Sequence, residues 1–203
     1  MRQTTLGTQA TNDNLSIAFE EEVSTQARYD AYAVRAEADG LSDVAVLLHA
    51  LARAEQIHAE CHGRAIHQAG IENECVIHDF SVRGTLENLR TALRHELYEI
   101  ETMYPKYLAE ATMAGNGAAS RSFSSALEAE KTHAQLLGET VRRAESGATP
   151  WMTAHHLHVC RACGLISEDQ DGHVICPMYS SPERFEVIGA DTGNEPKSFS
   201  LAP

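Results

Sequence analysis

Basic residues are scarce in this chain: Lys plus Arg number 16 against 29 Asp plus Glu, a net charge of −13. Nucleic acid and anionic membranes are bound through cationic surface, so neither is an expected partner. Long apolar runs are missing too. No stretch approaches the roughly 20 residues that span a bilayer, and residues 1–14 carry no apolar segment of the secretory type. Cysteine is sparse and odd in number, with three of the five near the C-terminus. That distribution argues against a disulfide framework and makes a reducing cytoplasm the expected compartment.

What remains is enough for a full core and a small appendage: 203 residues, 43% hydrophobic and 22% charged. The acidic excess reads as a solvated surface. Within it two segments stand out, Glu55-Gln-Ile-His58 and Glu130-Lys-Thr-His133, which repeat a Glu-x-x-His spacing 75 positions apart, each followed by alanine. On a helix, residues three apart share a face, so each segment presents a carboxylate and an imidazole to one point. The repeat extends upstream. Asn14-Leu15, Ala18 and Glu22 recur as Asn88-Leu89, Ala92 and Glu96, 74 positions later.

These two copies predict two helical hairpins, each with one inward Glu on its first helix and Glu-x-x-His on its second. Asn12 or Asn14 can cap a first helix running to about Asp39, stopped by Gly40. A second is expected from Ser42 to Gln68, ending at Gly70, and residues 71–83 read as the crossover between hairpins. Thr85 is the expected cap of a third helix, with Asn88 completing a weak capping box. Pro105 must kink or locally open that helix, because proline removes a donor and clashes with the preceding turn. Gly115-Asn116-Gly117 breaks the chain before a fourth helix over about 118–145.

The expected organisation is a four-helix bundle over residues 1–147, a linker at 148–157, a small β-rich module over 158–188 that needs a metal to fold, and a loose tail from 189 to 203. Glu22, Glu55, His58, Glu96, Glu130 and His133 supply four carboxylates and two imidazoles. Four antiparallel helices carrying that set match the dinuclear carboxylate arrangement of ferritin-like bundles. Oxygen and nitrogen donors of this kind suit iron or manganese. So many carboxylates between apolar faces could not all stay ionised without cations. Glu99, three positions after Glu96, can reach the same centre. His62 follows His58 by four but has Leu137 as its counterpart in the second copy, and His95 is turned about 100° from Glu96; both are set aside. Cys61 and Cys75 read as free thiols.

Taken with Tyr29, Gly84-Thr85-Leu86-Glu87-Asn88-Leu89, Met103-Tyr104-Pro105 and Cys160-Arg161-Ala162-Cys163-Gly164, these segments resemble rubrerythrin, and the likeness covers nearly the whole chain. The resemblance implies an all-α, ferritin-like four-helix bundle with a C-terminal rubredoxin-like module. It implies a di-iron centre held by Glu22, Glu55, His58, Glu96, Glu99, Glu130 and His133, with Glu99 separating this family from storage ferritins. Tyr29 and Tyr104 match family tyrosines near that pocket, although ordinary helix packing accounts for Tyr29 equally well. It also implies reduction of hydrogen peroxide to water by the diferrous centre, one iron shifting between His58 and Glu99. A rubredoxin or a flavoprotein reductase would return the electrons, and the assembly would be a homodimer or homotetramer.

The cysteine module departs from the family pattern. Cys160, Cys163 and Cys176-Pro177 are three of the four thiolates that a rubredoxin centre needs, and Tyr179 stands at the fourth position. Three outcomes are open: Tyr179 binds as a phenolate, His158 or His173 makes a Cys3His site suited to zinc, or the site is degenerate. The metal there is accordingly iron or zinc. Two rival functions differ in class, a ferroxidase or iron-storage role in a hollow oligomer, and a non-catalytic metal-binding interaction protein.

Overall fold

The computed structural model describes residues 2–72, 74–154, 156–168, 176, 178–179 and 184–189, with side chains from Gly7 onward. Its helices are α1 (Arg2–Ala38), α2 (Ser42–Ala69), α3 (Thr85–Tyr98), α4 (Tyr104–Met113) and α5 (Gly117–Glu145), with a π-helical turn at Glu99–Met103 joining α3 to α4. Three short strands follow: β1 (His156–Cys160), β2 (Ile166–Ser167) and β3 (Phe185–Gly189). They form an antiparallel sheet in the order β2-β1-β3, with His158 opposite Ser167 on one side and Val187 on the other.

Helix α1 begins ten or more residues before the expected cap. Nothing between Arg2 and Thr11 breaks it, and the Thr11 hydroxyl bonds back to the Gly7 carbonyl at 2.9 Å. Asn14 is not a cap. Its amide donates to Glu110 Oε2 at 2.7 Å and ties α1 to α4. Helix α2 stops where expected, with Gly70 left-handed at φ 68° and its N–H closing on the last carbonyls. The cap of α3 is Gly84 rather than Thr85, because the Thr85 N–H and hydroxyl both bond Asp39 Oδ2, at 3.2 and 2.6 Å. Asn88 turns back to Arg83, accepting from its N–H and donating to its carbonyl. Asn116 caps α5 by accepting from the Ala119 N–H at 3.1 Å.

The opening expected at Pro105 is the π-helical turn just before it, closed by the Tyr104 N–H on the Glu99 carbonyl. Seven positions separate Glu22 from Tyr29 in the first copy and eight separate Glu96 from Tyr104 in the second. One residue more in the same axial length forces a wider turn, which is the π geometry.

Two apolar cores fill the bundle. One holds Tyr29, Ala33, Leu47, Leu51, Leu89 and Leu137; the other holds Leu15, Ala18, Ile66, Tyr107, Ala111 and Phe123. Along α1 and α5 the chain meets the second core first, and along α2 and α3–α4 it meets the first core first. Hence α1 runs antiparallel to α2, the long crossover makes α2 and α3 parallel, and α5 returns antiparallel to α3. On every helix the candidate ligands fall between the two cores.

The β module packs onto the bundle. Leu157, Val159 and Ile166 of the sheet, with Met152 and Ala154 of the segment expected to be a linker, join the core that contains Leu47 and Leu51. Polar ties flank this apolar seam: Arg53 Nε reaches Glu186 Oε1 at 2.5 Å, and the Met152 N–H donates to Asp43 Oδ2 at 2.9 Å. Trp151, the single tryptophan, packs against the same core. Trimming Leu157 to Ala should cost about 3 kcal/mol, as large-to-small changes at buried sites do. Trp151 emission should shift to the red before helical circular dichroism is lost on heating.

Candidate metal centre

Glu22, Glu55, His58, Glu96, Glu99, Glu130 and His133, carried by α1, α2, α3, the π-helical turn and α5, are buried together at 0–1% exposure. Among the described residues their donor atoms form two groups of four able to hold a metal ion. Glu22, Glu55, His58 and Glu130 make one, and Glu55, Glu96, Glu130 and His133 make the other. Glu55 and Glu130 belong to both. This is a two-ion geometry with two shared carboxylates and a Glu–His pair at each end.

Both imidazoles point Nδ1 inward. His58 Nδ1 lies 3.0 Å from Glu55 Oε2 and 2.8 Å from Glu130 Oε1. His133 Nδ1 lies 2.6 Å from Glu130 Oε2 and 3.5 Å from Glu96 Oε2. The rings stack with centroids 5.6 Å apart. Their outer nitrogens meet backbone of the β module: His58 Nε2 is 3.0 Å from the Cys163 carbonyl and His133 Nε2 is 3.0 Å from the Gly164 carbonyl. A carbonyl only accepts, so each Nε2 carries the proton, and Nδ1 is the nitrogen available to a metal. The approach is close enough that Gly164, at φ +75°, has no room for a methyl group. A Cβ there would stand 2.5 Å from His58 Nε2 and 3.1 Å from the Ala54 carbonyl.

The electrostatics fit cations. Glu22 Oε2, Glu55 Oε1, Glu96 Oε2, Glu130 Oε1 and both Glu99 oxygens are buried without a hydrogen-bond partner. Burial and the charges of neighbouring carboxylates push Glu55 far above the ordinary carboxylate range. Burial does the same to Glu130 against the pull of His133. Burial lifts Glu99 to about 7, with His95 opposing. Burial pulls His133 down, but Glu130 and Glu96 outweigh it and raise the imidazole to about 10. Glu22 and Glu96 are held at about 2 despite burial, Glu22 by His62 and His58, Glu96 by His133. Without a metal the cluster thus retains protons where it lacks positive charge, and ions that displace them would bind more tightly as pH rises.

Tyr29 and Tyr104 are not mere packing. The Tyr29 hydroxyl donates to Glu96 Oε1 and the Tyr104 hydroxyl to Glu22 Oε1, each crossing from one hairpin to the other. Glu99 is buried beside the centre but belongs to neither group of four. Its partner is a residue set aside in the sequence: His95 Nδ1 lies 3.4 Å from Glu99 Oε1, and His95 Nε2 lies 3.8 Å from Glu21 Oε2. Spacing from Glu96 turned His95 away, whereas its i,i+4 relation to Glu99 places the two on one face. His62 also belongs here, fully buried between Ser122 and Tyr104.

In the β module the Cys160, Cys163 and Cys176 sulfurs form a third buried group suited to a metal, with Cys163 Sγ and Cys176 Sγ 3.5 Å apart. No His, Asp or Glu among the described residues joins it, and His158 faces His156 instead. Tyr179 is 43% exposed with the Arg184 guanidinium over its ring. His173 and the tail from 190 lie outside the described residues. Cys61 and Cys75 are free thiols.

Shared and terminal ligands should separate in a metal count. Glu55→Ala or Glu130→Ala should abolish binding of both ions, whereas Glu22→Ala or Glu96→Ala should leave one. Equilibrium dialysis of the chelated protein against zinc, followed by metal analysis, checks this.

The family model described as rubrerythrin matches residues 13–140. Rubrerythrin-2 of Clostridium acetobutylicum is 30% identical over 162 residues, which cover 79% of this chain and 87% of that one. Nigerythrin of Nitratidesulfovibrio vulgaris is 28% identical, covering 86% and 84%. A structure of nigerythrin in its fully reduced, all-ferrous state superposes with a TM-score of 0.77 at 29% identity, covering 87% of this chain and 86% of the other. The paired carboxylate and imidazole groups fit a di-iron centre, the three thiolates fit an iron site in the small module, and the chain belongs to the rubrerythrin family.

Proposed function

We propose that this protein is a non-haem di-iron peroxidase that reduces hydrogen peroxide to water in the cytoplasm. The observation that carries the reading is the pair of four-ligand groups sharing Glu55 and Glu130, with a further buried carboxylate, Glu99, beside them. In this reading Glu22, Glu55, His58, Glu96, Glu99, Glu130 and His133 hold the irons, which when bound supply two electrons to one peroxide.

The chain's own residues do the rest. Shared Glu55 and Glu130 keep two ions within reach of one small substrate. The two apolar cores on either side exclude bulk water. The carbonyls of Cys163 and Gly164 fix the orientation of His58 and His133. Reduction of peroxide to two waters consumes two protons. His95 links buried Glu99 to Glu21, whose side chain is 30% exposed, and so offers a polar line inward from solvent.

Contact of the cysteine knuckle with both imidazoles supports electron entry from that side, from a rubredoxin or a flavoprotein reductase. A separate iron-storage reading has no observation in its favour here. The anaerobically reduced, iron-loaded protein should consume one hydrogen peroxide per two ferrous ions oxidised without releasing dioxygen, measured by rapid-mixing absorbance and an oxygen electrode. Dioxygen release, or no reaction with peroxide, would refute the assignment.

Glu99 stands off both groups with His95 beside it, so its charge is available to the more positive oxidised state. Glu99→Gln keeps the shape and removes the charge. Iron content of the reduced protein should be unchanged while peroxide turnover falls at least about tenfold, the scale of losing a charged interaction worth 1.5–3 kcal/mol. Equal turnover would remove Glu99 from the mechanism.

A further inference from the structure

The two ends of the centre differ in what stands behind their tyrosines. Tyr29 donates to Glu96, and Tyr104 donates to Glu22. Behind Tyr104 stands His62, 0% exposed, with Nε2 3.0 Å from the phenol oxygen and Nδ1 2.8 Å from Ser122 Oγ. Four residues after His133, the position that corresponds to His62 is Leu137. The Glu96 end therefore has no histidine from α5 in this role.

The directions of these hydrogen bonds follow from counting protons. A phenol has one proton, and Tyr104 gives it to Glu22. Its oxygen can then only accept from His62, so the imidazole proton is on Nε2. That leaves a lone pair on Nδ1, to which Ser122 must donate. The result is a one-way chain, Ser122 to His62 to Tyr104 to Glu22, with His62 Nε2 itself 3.7 Å from Glu22 Oε1.

We propose that His62, oriented by Ser122, is a positioning residue that strengthens the Tyr104–Glu22 hydrogen bond and makes the two metal positions electronically unequal; this rests on the di-iron reading of the centre. A donor that is itself hydrogen-bonded polarises further, so each link strengthens the next. A stronger hydrogen bond on Glu22 withdraws negative charge from the ion that Glu22 binds and favours the lower oxidation state there. The Glu96 end, with Leu137 in place of the histidine, lacks that bias.

Two measurements test this. In the metal-free protein, ring nitrogen-15 chemical shifts of His62 should show the proton on Nε2, and Ser122→Ala should perturb the Nδ1 shift. A proton on Nδ1 overturns the proposal, since Tyr104 would then have to donate to His62. In iron-loaded protein, a redox titration followed by Mössbauer spectroscopy compares the native chain with His62→Leu, which gives α2 the residue that α5 already carries. Both should hold two irons, and at a fixed potential one iron's ferrous-to-ferric ratio should fall about fivefold, roughly the worth of one net hydrogen bond, while the other stays put. In a Tyr104→Phe background the same change should have no effect. Unchanged ratios, or a full effect without the Tyr104 hydroxyl, overturn the proposal alone. Fewer than two irons in the native chain overturns the reading of the centre and the proposal with it.

Discussion

Five glutamates share a volume from which water is excluded, and that concentration of negative charge is the constraint on which the rest of the structure depends. An unpaired buried carboxylate costs several kcal/mol, so the bundle is stable only with positive charge or protons at its middle. Each structural device around the centre answers this demand. Imidazoles sit at both ends, tyrosine hydroxyls cross over to Glu22 and Glu96, and His95 stands against Glu99. The apolar cores that flank the cluster raise the stakes, because they deepen the low dielectric in which those charges must be balanced.

The internal repeat made most of this legible. A carboxylate three residues before a histidine is weak evidence once, but two copies at matched intervals locate four helices, their directions and six inward side chains. The helices themselves were readable from apolar spacing and from Gly40, Gly70 and Gly115, whose positive φ angles end α1, α2 and α4. The N-terminal reach of α1 was not readable. The sequence between Arg2 and Thr11 shows no apolar period.

Other features escaped for reasons that are physical rather than accidental. The π-helical turn follows from one additional residue between Glu96 and Tyr104, a signal present in the sequence but overshadowed by Pro105. Spacing from Glu96 hides the role of His95, and Leu137 at the corresponding position of the second copy hides that of His62, because their partners Glu99, Tyr104 and Ser122 become adjacent only on folding. The seating of the cysteine knuckle on His58 and His133 is made by main-chain carbonyls, which leave no mark on side-chain identity. Gly164 was the one clue, and glycine at that place also serves the knuckle's own left-handed turn.

That seating joins two metal-binding parts of the molecule into one thermodynamic system. The carbonyls of Cys163 and Gly164 hold the imidazoles in the tautomer that presents Nδ1 to the centre, so docking of the small module and filling of the bundle favour each other. Linkage is reciprocal: whatever factor docking contributes to affinity at the carboxylate cluster, occupancy of the cluster returns to docking. The β module thereby acts as a lid whose hold tightens as the centre beneath it fills.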